Sequence, residues 1–376
     1  MKLGFDAKRL FINNTGLGNY SRSLVVHLQQ SKPQNEYHLF SPEAQPSKAT
    51  AHFFNTSQYH IHQSKARIKS YWRSFSIVKD LQKTGIDLYH GLSNELPHHL
   101  QQSGIKSVVT IHDLIFKIYP KTYSVSERII YDRKFRYACN HADKIVAISE
   151  NTKQDIVRLY QIPESKIEVI YQSCNPIFYQ LQSDSDNKAV SELYQLPKQY
   201  FLYVGSVEER KNLQLIINAY QLGKSEIKIP IVIIGKGGAY KNDCKKLIEQ
   251  YKLGNYFFWI ENLADNVQLQ SIYQMATALI YPSFYEGFGL PVAEALLSKT
   301  PVIAAATSSL MEAGGPDSLY VDPKNPTALV DSMKKILCDK DLVEKMKKNG
   351  HQYAHRNFSP VPLAQQMHRL YQSLLT

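Results

Sequence analysis

Short apolar segments alternate with stretches of helical length along the whole sequence, and this alternation constrains the fold most. A first series runs from KLGFD at residues 2–6 to IEVIY at 167–171, and a second from YFLYVGS at 200–206 to LYVD at 319–322. Strands separated by helix-length connections are typical of parallel sheets that are covered on both faces. Two such series in 376 residues, more than one core usually holds, predict two doubly wound α/β domains in tandem.

The division between the two domains is predicted near the polar segment QSCNPIFYQLQSDSDNKAV, residues 172–190. This segment contains Pro176 and leads into a new helix and a new strand. We therefore predict a first domain over residues 1–172 and a second over residues 173–356. Residues 357–376 carry leucine and methionine at helical spacing, which predicts a final helix.

Composition favours a cytoplasmic protein without a metal site. No apolar run approaches the roughly 18 residues that span a bilayer, and the N-terminal MKLGFDAKRL resembles a strand rather than a signal peptide. The four cysteines have no paired spacing, which argues against disulfides and structural zinc and for a reducing compartment. Asp184 and Asp186 form a D-x-D pair of the kind that holds a divalent metal, but they follow no strand and lie in the predicted linker, so we assign no metal.

The positive charge is concentrated in the first half of the chain. The net charge is +11, and residues 1–180 hold 23 Lys and Arg against 14 Asp and Glu. No nucleic-acid-binding motif is visible, so we expect no nucleic acid and favour peripheral contact with an anionic membrane. The segment KARIKSYWRSFSIVKD, residues 65–80, mixes basic and aromatic side chains. An ordinary amphipathic surface helix is the alternative interpretation of that segment.

Ligands of open α/β sheets bind beyond the carboxyl ends of the strands, so the residues that follow each strand are informative. Gly16 and Gly18 follow the first strand, and a helix predicted to begin near Asn19 would direct its N–H groups toward a ligand. The spacing matches neither the dinucleotide fingerprint nor a P-loop, and an ordinary turn is the alternative. His112 and Asp113 follow KSVVTI, where His112 is either a satisfied core residue or a site residue.

Charged residues follow two strands of the second domain. Arg210 and Lys211, after YFLYVG, suit a diphosphate whose charge grows as a bond to it breaks, although a solvated loop is the alternative. YPSFYEGFGLPVAEALL places Glu286 in a glycine-rich loop and Glu294 in a helix predicted to begin at about Pro291, hence in its first turn. Carboxylates suit sugar hydroxyls, and loop amides beside a helix end suit a phosphate. The segment therefore predicts a sugar-nucleotide site.

These segments, above all YPSFYEGFGLPVAEALLSKTPVIAA and VGSVEERKN, resemble those of retaining glycosyltransferases of family 4. The resemblance continues through FDAKRLFINNTGLGNYSRSL, VVTIHDLIFKIYP, VAISENTKQDI and VIIGKGG. It implies the GT-B architecture of two facing Rossmann-like domains, with residues 357–376 crossing back to the first. It also implies metal-independent transfer without a cofactor or an enzymic nucleophile, in the cytoplasm or at the inner face of the cell membrane.

The resemblance implies a role for each candidate site residue. Glu286 would bind hydroxyls of the donor sugar and Glu294 those of the ribose. Lys211, with Arg210, would stabilise the departing diphosphate, and His112 would orient the donor sugar. The other predicted substrate contacts are residues whose backbone approaches the sugar, the phosphate or the reaction centre: Gly287, Phe288, Gly289, Leu290, Val292, Gly16, Gly18, Gly205 and Ser206.

The predicted reaction is transfer of mannose from GDP-mannose to a lipid-linked, polysaccharide or lipopolysaccharide acceptor. Mannose is preferred because the pairing of VGSVEERKN with SFYEGFGLP resembles mannosyltransferases most. Ser206 stands where many relatives have arginine, and Arg210 is expected to compensate. The alternatives are a UDP-sugar donor, a sugar-nucleotide epimerase of the same architecture and a non-catalytic binding protein.

Overall fold

The computed structural model describes residues 1–13 and 15–376. The chain divides into two compact units, one formed by Met1–Ser173 with Ser359–Thr376 and the other by Cys174–Phe358. The C-terminal segment thus belongs to the first unit, although it follows the second in the sequence, as expected for a last helix that crosses back. No helix within the described residues has the length and hydropathy needed to cross a bilayer.

The first unit contains, within its described residues, a seven-stranded parallel sheet in the order β3-β2-β1-β4-β5-β6-β7. Its strands are β1 (Lys2–Asp6), β2 (Glu36–Ser41), β3 (Tyr59–Gln63), β4 (Leu88–Gly91), β5 (Lys106–Ile111), β6 (Lys144–Ala147) and β7 (Ile167–Val169). The helices that connect them are α1 (Lys8–Ile12), α2 (Gly16–Ser31), α3 (Lys69–Tyr71), α4 (Ile77–Thr84), α5 (Ile115–Ile118), α6 (Val125–His141) and α7 (Glu150–Tyr160). Apolar side chains cover both faces of this sheet, which is why its central strands are almost uniformly buried.

The second unit contains, among the described residues, a six-stranded parallel sheet in the order β10-β9-β8-β11-β12-β13. Its strands are β8 (Phe201–Val204), β9 (Ile231–Ile234), β10 (Phe257–Ile260), β11 (Ala278–Tyr281), β12 (Val302–Ala305) and β13 (Leu319–Val321). Its helices are α8 (Asp184–Tyr194), α9 (Leu213–Leu222), α10 (Ala239–Gln250), α11 (Asn266–Met275), α12 (Leu290–Leu297), α13 (Leu310–Gly314), α14 (Pro326–Cys338) and α15 (Lys340–Phe358). The last helix, α16 (Pro360–Leu375), packs on α2 of the first unit.

Two features differ from the prediction: a predicted loop is helical, and a basic residue of the predicted surface segment is buried. Asp184 and Asp186 lie in the first turn of α8, where the Ser183 hydroxyl accepts a hydrogen bond from the Asp186 N–H at 3.2 Å. Their predicted place in a linker loop is therefore wrong, and their charges suit the positive end of that helix. Arg73, counted in the basic segment 65–80, is buried against Asp6 and Glu95.

Candidate active site

The strand order of each sheet reverses between two neighbouring strands, and the charged residues predicted for the site in the second unit follow the strands at its reversal. In the second unit β8 and β11 are neighbours, with β9 and β12 on their outer sides. Arg210 and Lys211 follow β8, and Glu286 follows β11. Because ligands of open α/β sheets bind beyond the carboxyl ends of strands at such a point, the topology brings these three residues to a binding position.

The Glu286 carboxylate is the centre of a buried polar cluster. Its Oε1 lies 2.6 Å from Lys211 Nζ and 3.0 Å from Arg210 Nη1. The Ser283 hydroxyl donates to the same oxygen at 2.6 Å, and the Tyr281 hydroxyl donates at 3.1 Å. Oε2 takes no hydrogen bond from the described residues. One carboxylate oxygen is thus held by the protein, and the other remains available to a ligand hydroxyl.

The charges around Glu286 keep it ionised. Burial raises the pKa of Glu286, but the Lys211 and Arg210 cations and the hydrogen bonds from Lys211 and Ser283 outweigh burial and lower it to about 2. The two carboxylates beside Arg210 hold the pKa of its guanidinium above the usual value. At neutral pH Glu286 and Arg210 therefore carry fixed charges of opposite sign, which suits a phosphorylated sugar.

The two loops of this cluster are joined by backbone and side-chain hydrogen bonds. Arg210 donates to the Tyr285 carbonyl and, at 2.6 Å, to Glu208 Oε1. Asn212, in the left-handed region with φ of 57°, donates to the carbonyls of Pro282 and Pro323 at 3.1 and 2.8 Å. These bonds hold the cations after β8 against the loop after β11, so the cluster is preorganised.

Backbone conformation explains two of the predicted glycines. Gly205 has a φ of +143°, and a Cβ there would lie 3.9 Å from Lys211 Cε. Gly289 has a φ of +107°, and a Cβ there would come within 2.8 Å of Leu310 Cδ2. Side chains at either position would be strained. Ser206 is exposed, and its carbonyl accepts a hydrogen bond from Tyr203 at 3.1 Å.

The loop after Glu286 is held by its own hydrogen bonds. Ser309 Oγ lies 2.9 Å from the carbonyl oxygens of both Glu286 and Phe288, and the Glu286 N–H donates to Ser308 Oγ at 3.0 Å. Gly287, between the two carbonyl acceptors, is buried together with Phe288. The loop therefore has a fixed path before any ligand binds.

Helix α12 begins one residue earlier than predicted, and this changes the expected roles. It starts at Leu290, so Glu294 is its fifth residue and lies in the second turn, not the first. The Val292 N–H donates to the Gly289 carbonyl at 2.9 Å, so the prediction that Val292 offers an amide to a phosphate is wrong. Leu290, by contrast, has an N–H without an acceptor among the described residues, as expected of a first helical residue.

Glu294 is half-buried in a less polar setting than Glu286. The Tyr273 hydroxyl donates to its Oε2 at 3.3 Å. Burial raises the pKa of Glu294 to about 7, against the opposing effect of that hydrogen bond. Ribose hydroxyls would supply the donors that this carboxylate lacks.

His112 lies in the first unit, directly after β5. Its backbone N–H donates to Asn94 Oδ1 at 2.7 Å, and its Nε2–H donates to the Leu92 carbonyl at 2.9 Å. Burial lowers the pKa of His112 to about 4, so the ring is neutral and its Nδ1 is a hydrogen-bond acceptor. Tyr20 of α2 packs edge-on against the ring, with centroids 4.8 Å apart.

The glycines after β1 lie in a helix rather than in a loop. Helix α2 begins at Gly16, not near Asn19, so Gly16 and Gly18 belong to its first turn. The Gly18 N–H donates to Asn13 Oδ1 at 3.1 Å, and a Cβ at Gly18 would lie 1.8 Å from the Asn13 carbonyl oxygen. Close approach of the chain to itself therefore accounts for Gly18, whose amide is already bonded.

Three polar residues of the cluster are absent from the predicted set. Tyr281 and Ser283 both donate to Glu286, and Ser309 holds the backbone of the same loop. Tyr281 and Ser283 flank the end of β11, so the rule that selected Glu286 also applies to them. Ser309 comes from the segment after β12, and no local pattern distinguishes it from other serines.

Comparison with protein families gives two matches that leave little of the chain unmatched. Residues 14–176 match the model of Glycosyltransferase Family 4, and residues 184–353 match the model of Glycosyl transferases group 1. The chain therefore belongs to the family 4, group 1 glycosyltransferases. The predicted resemblance is confirmed, and the protein is a glycosyltransferase.

Two curated relatives are named as mannosyltransferases. O-antigen chain mannosyltransferase B of Escherichia coli is 29% identical over 351 residues, which cover 88% of each chain. O-antigen chain mannosyltransferase RfbU of Salmonella typhimurium is 25% identical over 239 residues, which cover 64% of this chain and 63% of the relative.

Solved structures match over nearly the whole length. A glycosyltransferase from Rickettsia africae superposes with a TM-score of 0.78 at 17% identity and covers 100% of this chain and 98% of its own. Anabaena HepE, in complex with UDP and glucose, superposes with a TM-score of 0.76 at 16% identity and covers 100% of both chains. These similarities concern the fold, and they confirm the predicted GT-B class.

Proposed function

We propose that this glycosyltransferase moves mannose from GDP-mannose to a lipid-linked, polysaccharide or lipopolysaccharide acceptor, with retention at the anomeric carbon. The observation that carries the proposal is the buried cluster in which Glu286 Oε1 holds Lys211 and Arg210, while Oε2 remains available. The choice of mannose is supported by the names of the curated relatives. UDP-glucose-like donors are the alternative, because HepE was solved with UDP and glucose.

In this proposal each charged group has a separate task. Glu286 Oε2 accepts a hydrogen bond from a sugar hydroxyl, and Lys211 and Arg210 offset the charge that develops on the departing diphosphate. The bond from the anomeric carbon to the phosphate oxygen breaks, and the acceptor oxygen bonds to that carbon on the same face. The departing phosphate oxygen takes the acceptor's proton, so no protein nucleophile is required.

Residues away from the cluster complete the proposed site. Glu294 accepts hydrogen bonds from the ribose hydroxyls, and the free amide at Leu290 contacts a phosphate. His112 accepts a hydrogen bond from the donor sugar through Nδ1, because its Nε2–H is already bonded to the Leu92 carbonyl. No metal is part of the proposed mechanism.

A panel of donors tests the proposal by thermal shift. GDP-mannose at one hundred times its dissociation constant should stabilise the protein by about 2.7 kcal/mol, and UDP-glucose and ADP-glucose at equal concentrations should stabilise it less. Glu294→Ala should abolish most of the shift, because the ribose loses its carboxylate. A larger thermal shift with a UDP-sugar than with GDP-mannose would identify the UDP-sugar as the donor. The absence of a thermal shift with every donor would reject the proposed site.

Product analysis separates transfer from the alternatives. With donor alone, an epimerase would convert the sugar while it remains attached to the nucleotide. A transferase would release nucleotide only slowly until acceptor is supplied. A binding protein would give the thermal shift without any product.

Peripheral membrane contact is supported by exposed apolar side chains on the first unit. They lie on the segment before α4 and at the start of α6: Ile68, Tyr71, Phe75, Val125, Ile129 and Ile130. Phe75 stacks on His98 at 4.7 Å, and His98 contacts Tyr137 at 4.1 Å, so the segment before α4 packs beside the C-terminal half of α6, the helix whose first half carries the other exposed side chains. Exposed basic residues on or near them include Lys65, Arg67 and Arg133. We propose that this surface binds anionic lipid.

Vesicle co-sedimentation tests the membrane contact. Ile68→Ser with Ile129→Ser should weaken binding to phosphatidylglycerol vesicles by at least about 10-fold, because each inserted side chain contributes on the order of 1.5–3 kcal/mol. Leu193→Ser with Leu222→Ser is the matched control, since both leucines are exposed on the second unit. Equal binding of the two double variants, or equal binding to neutral vesicles, would contradict the proposal.

A further inference from the structure

An edge of the first sheet gathers three histidines and a glutamate on one face. β3 is the edge strand and pairs in parallel with β2, so that His38 lies beside His60. Glu36 and His38 are two residues apart on β2, so both side chains lie on the same face of the sheet as His60. One ligand atom from each of these three residues lies within 4.8 Å of the others. This cluster is unrelated to the charged cluster around Glu286.

The buried histidine of this cluster has a ring nitrogen without a hydrogen bond. His38 is 5% exposed, and its Nδ1 lies 3.0 Å from His62 Nε2. Its Nε2 is buried without a hydrogen-bond partner and lies 3.4 Å from Glu36 Oε2. The tautomer with its proton on Nδ1 donates to His62 and leaves a lone pair on Nε2 facing the Glu36 oxygen, an arrangement that a cation between them would stabilise; the other tautomer directs the Nε2–H at Glu36 instead.

We propose that Glu36, His38 and His60 bind a divalent transition-metal ion, with Zn²⁺ as the reference case. Two imidazole nitrogens and a carboxylate oxygen form a donor set that zinc accepts, with water in the fourth position. Bond lengths of about 2.1 Å place tetrahedral ligands roughly 3.4 Å apart. The separation of His38 Nε2 from Glu36 Oε2 already has this value, 3.4 Å.

The remaining ligands can adjust to the ion. His60 is exposed, so its ring can rotate toward the other two ligand atoms. Lys2 Nζ lies 3.5 Å from Glu36 Oε2 and must give up this contact when the ion binds. His62 supports the site from behind, because a hydrogen bond to the second ring nitrogen fixes the orientation of a metal-binding imidazole. Nitrogen ligands disfavour Mg²⁺ and Ca²⁺, which prefer all-oxygen sites.

The bound ion would join the edge strand to its neighbour. Glu36 and His38 belong to β2, and His60 belongs to β3, so coordination crosslinks the two strands. An ion that binds only the folded chain raises its stability. The expected consequence is a zinc-dependent increase in melting temperature that does not require a nucleotide sugar, so failure of this test is distinguishable from failure of the proposed transferase activity.

Calorimetry and thermal shift on the full chain test the site, with ZnCl₂ as the probe. The protein is prepared without a polyhistidine tag and stripped of metal with a chelator. We expect one equivalent of Zn²⁺ to bind and to raise the melting temperature. Both His60→Gln and Glu36→Gln should weaken the zinc affinity at least about 10-fold. Loss of a residue that only supports a metal ligand already costs about 10-fold, and loss of a ligand itself should cost no less. Both residues are exposed, so neither change should prevent folding.

A second histidine pair provides the control. His351 and His355 stand four residues apart on α15, with ring centroids 4.4 Å apart, and could bind zinc adventitiously. His351→Gln should leave the affinity and the thermal shift unchanged. Co²⁺ should give visible absorption bands in the wild type that His60→Gln removes. Unchanged zinc affinity in His60→Gln and Glu36→Gln, or its loss in His351→Gln, would overturn the proposal.

Discussion

Glu286→Gln is expected to lower the turnover number of sugar transfer about 10²–10³-fold, the range seen when a preorganised transition-state contact is removed. The amide keeps the shape of the side chain but loses the charge that holds Lys211 and Arg210 at 2.6 and 3.0 Å. It also changes the Oε2 acceptor, which faces the donor sugar in this proposal, because an amide has one oxygen instead of two. Because the carboxylate contacts the sugar rather than the nucleotide in this proposal, the dissociation constant of GDP should change little. Steady-state rates and calorimetric titration with GDP measure the two effects.

Glu208→Gln is the matched control for this variant. Glu208 also pairs with Arg210, at 2.6 Å, but its side chain is 40% exposed, so solvent compensates for the lost charge. Its turnover should stay close to that of the wild type. Equal losses in the two variants would mean that the ion pairs, and not the free oxygen of Glu286, matter for transfer. Unchanged turnover in Glu286→Gln would remove Glu286 from the reaction.

The buried strands could be predicted from the sequence because both of their faces are covered and their residues are therefore almost all apolar. Segments such as IPIVIIG contain almost only apolar residues, and β9 forms within that segment. The apolar pattern that predicts the other strands does not extend to β2 and β3. Their sequences, EYHLFS and YHIHQ, place histidine and glutamate on one face near the sheet edge. These polar residues interrupt the apolar run although Phe40 on the same face of β2 is fully buried, so the apolar pattern of the other strands is missing.

The site was accessible to the extent that it follows from topology. Arg210, Lys211 and Glu286 were selected because they follow strands, and parallel strands end at one edge of the sheet. The helix starts were less accessible. Gly289 adopts a φ of +107° and ends the loop, so that α12 begins at Leu290, one residue before the proline that is expected to begin it. This one-residue difference in the start of α12 determines which backbone amides are free and which helical turn contains Glu294.

Charge counts are informative about surfaces only when the charges are exposed. Arg73 adds to the basic segment 65–80 in the sequence, but the fold buries it between Asp6 and Glu95, with Nη1 2.6 Å from Glu95 Oε2. Long-range ion pairs of this kind join β1 to residues 67 positions away, and no local pattern reveals them. The lipid-binding proposal therefore depends on exposed side chains of the segment, including Ile68 and Tyr71, and not on its total charge.

Lys211→Met should lower kcat/KM by on the order of 10³-fold, because the leaving diphosphate loses a buried cation. The variant should still fold, since Arg210, Ser283 and Tyr281 remain on the Glu286 carboxylate. Lys241→Met is the matched control: Lys241 is also buried, pairs with Glu261 at 2.6 Å and lies 5.0 Å from the Trp259 ring centroid.

The affinities for GDP and GMP distinguish loss of phosphate binding from loss of structure. If Lys211 contacts the terminal phosphate, Lys211→Met should weaken GDP binding and leave GMP binding unchanged, so the wild-type preference for the diphosphate should shrink. Lys241→Met should keep both the preference and the rate, because its partner Glu261 is 52% exposed and remains solvated. A preference for GDP that survives in Lys211→Met would place the diphosphate away from Lys211, and the mechanism proposed for its departure would then be wrong.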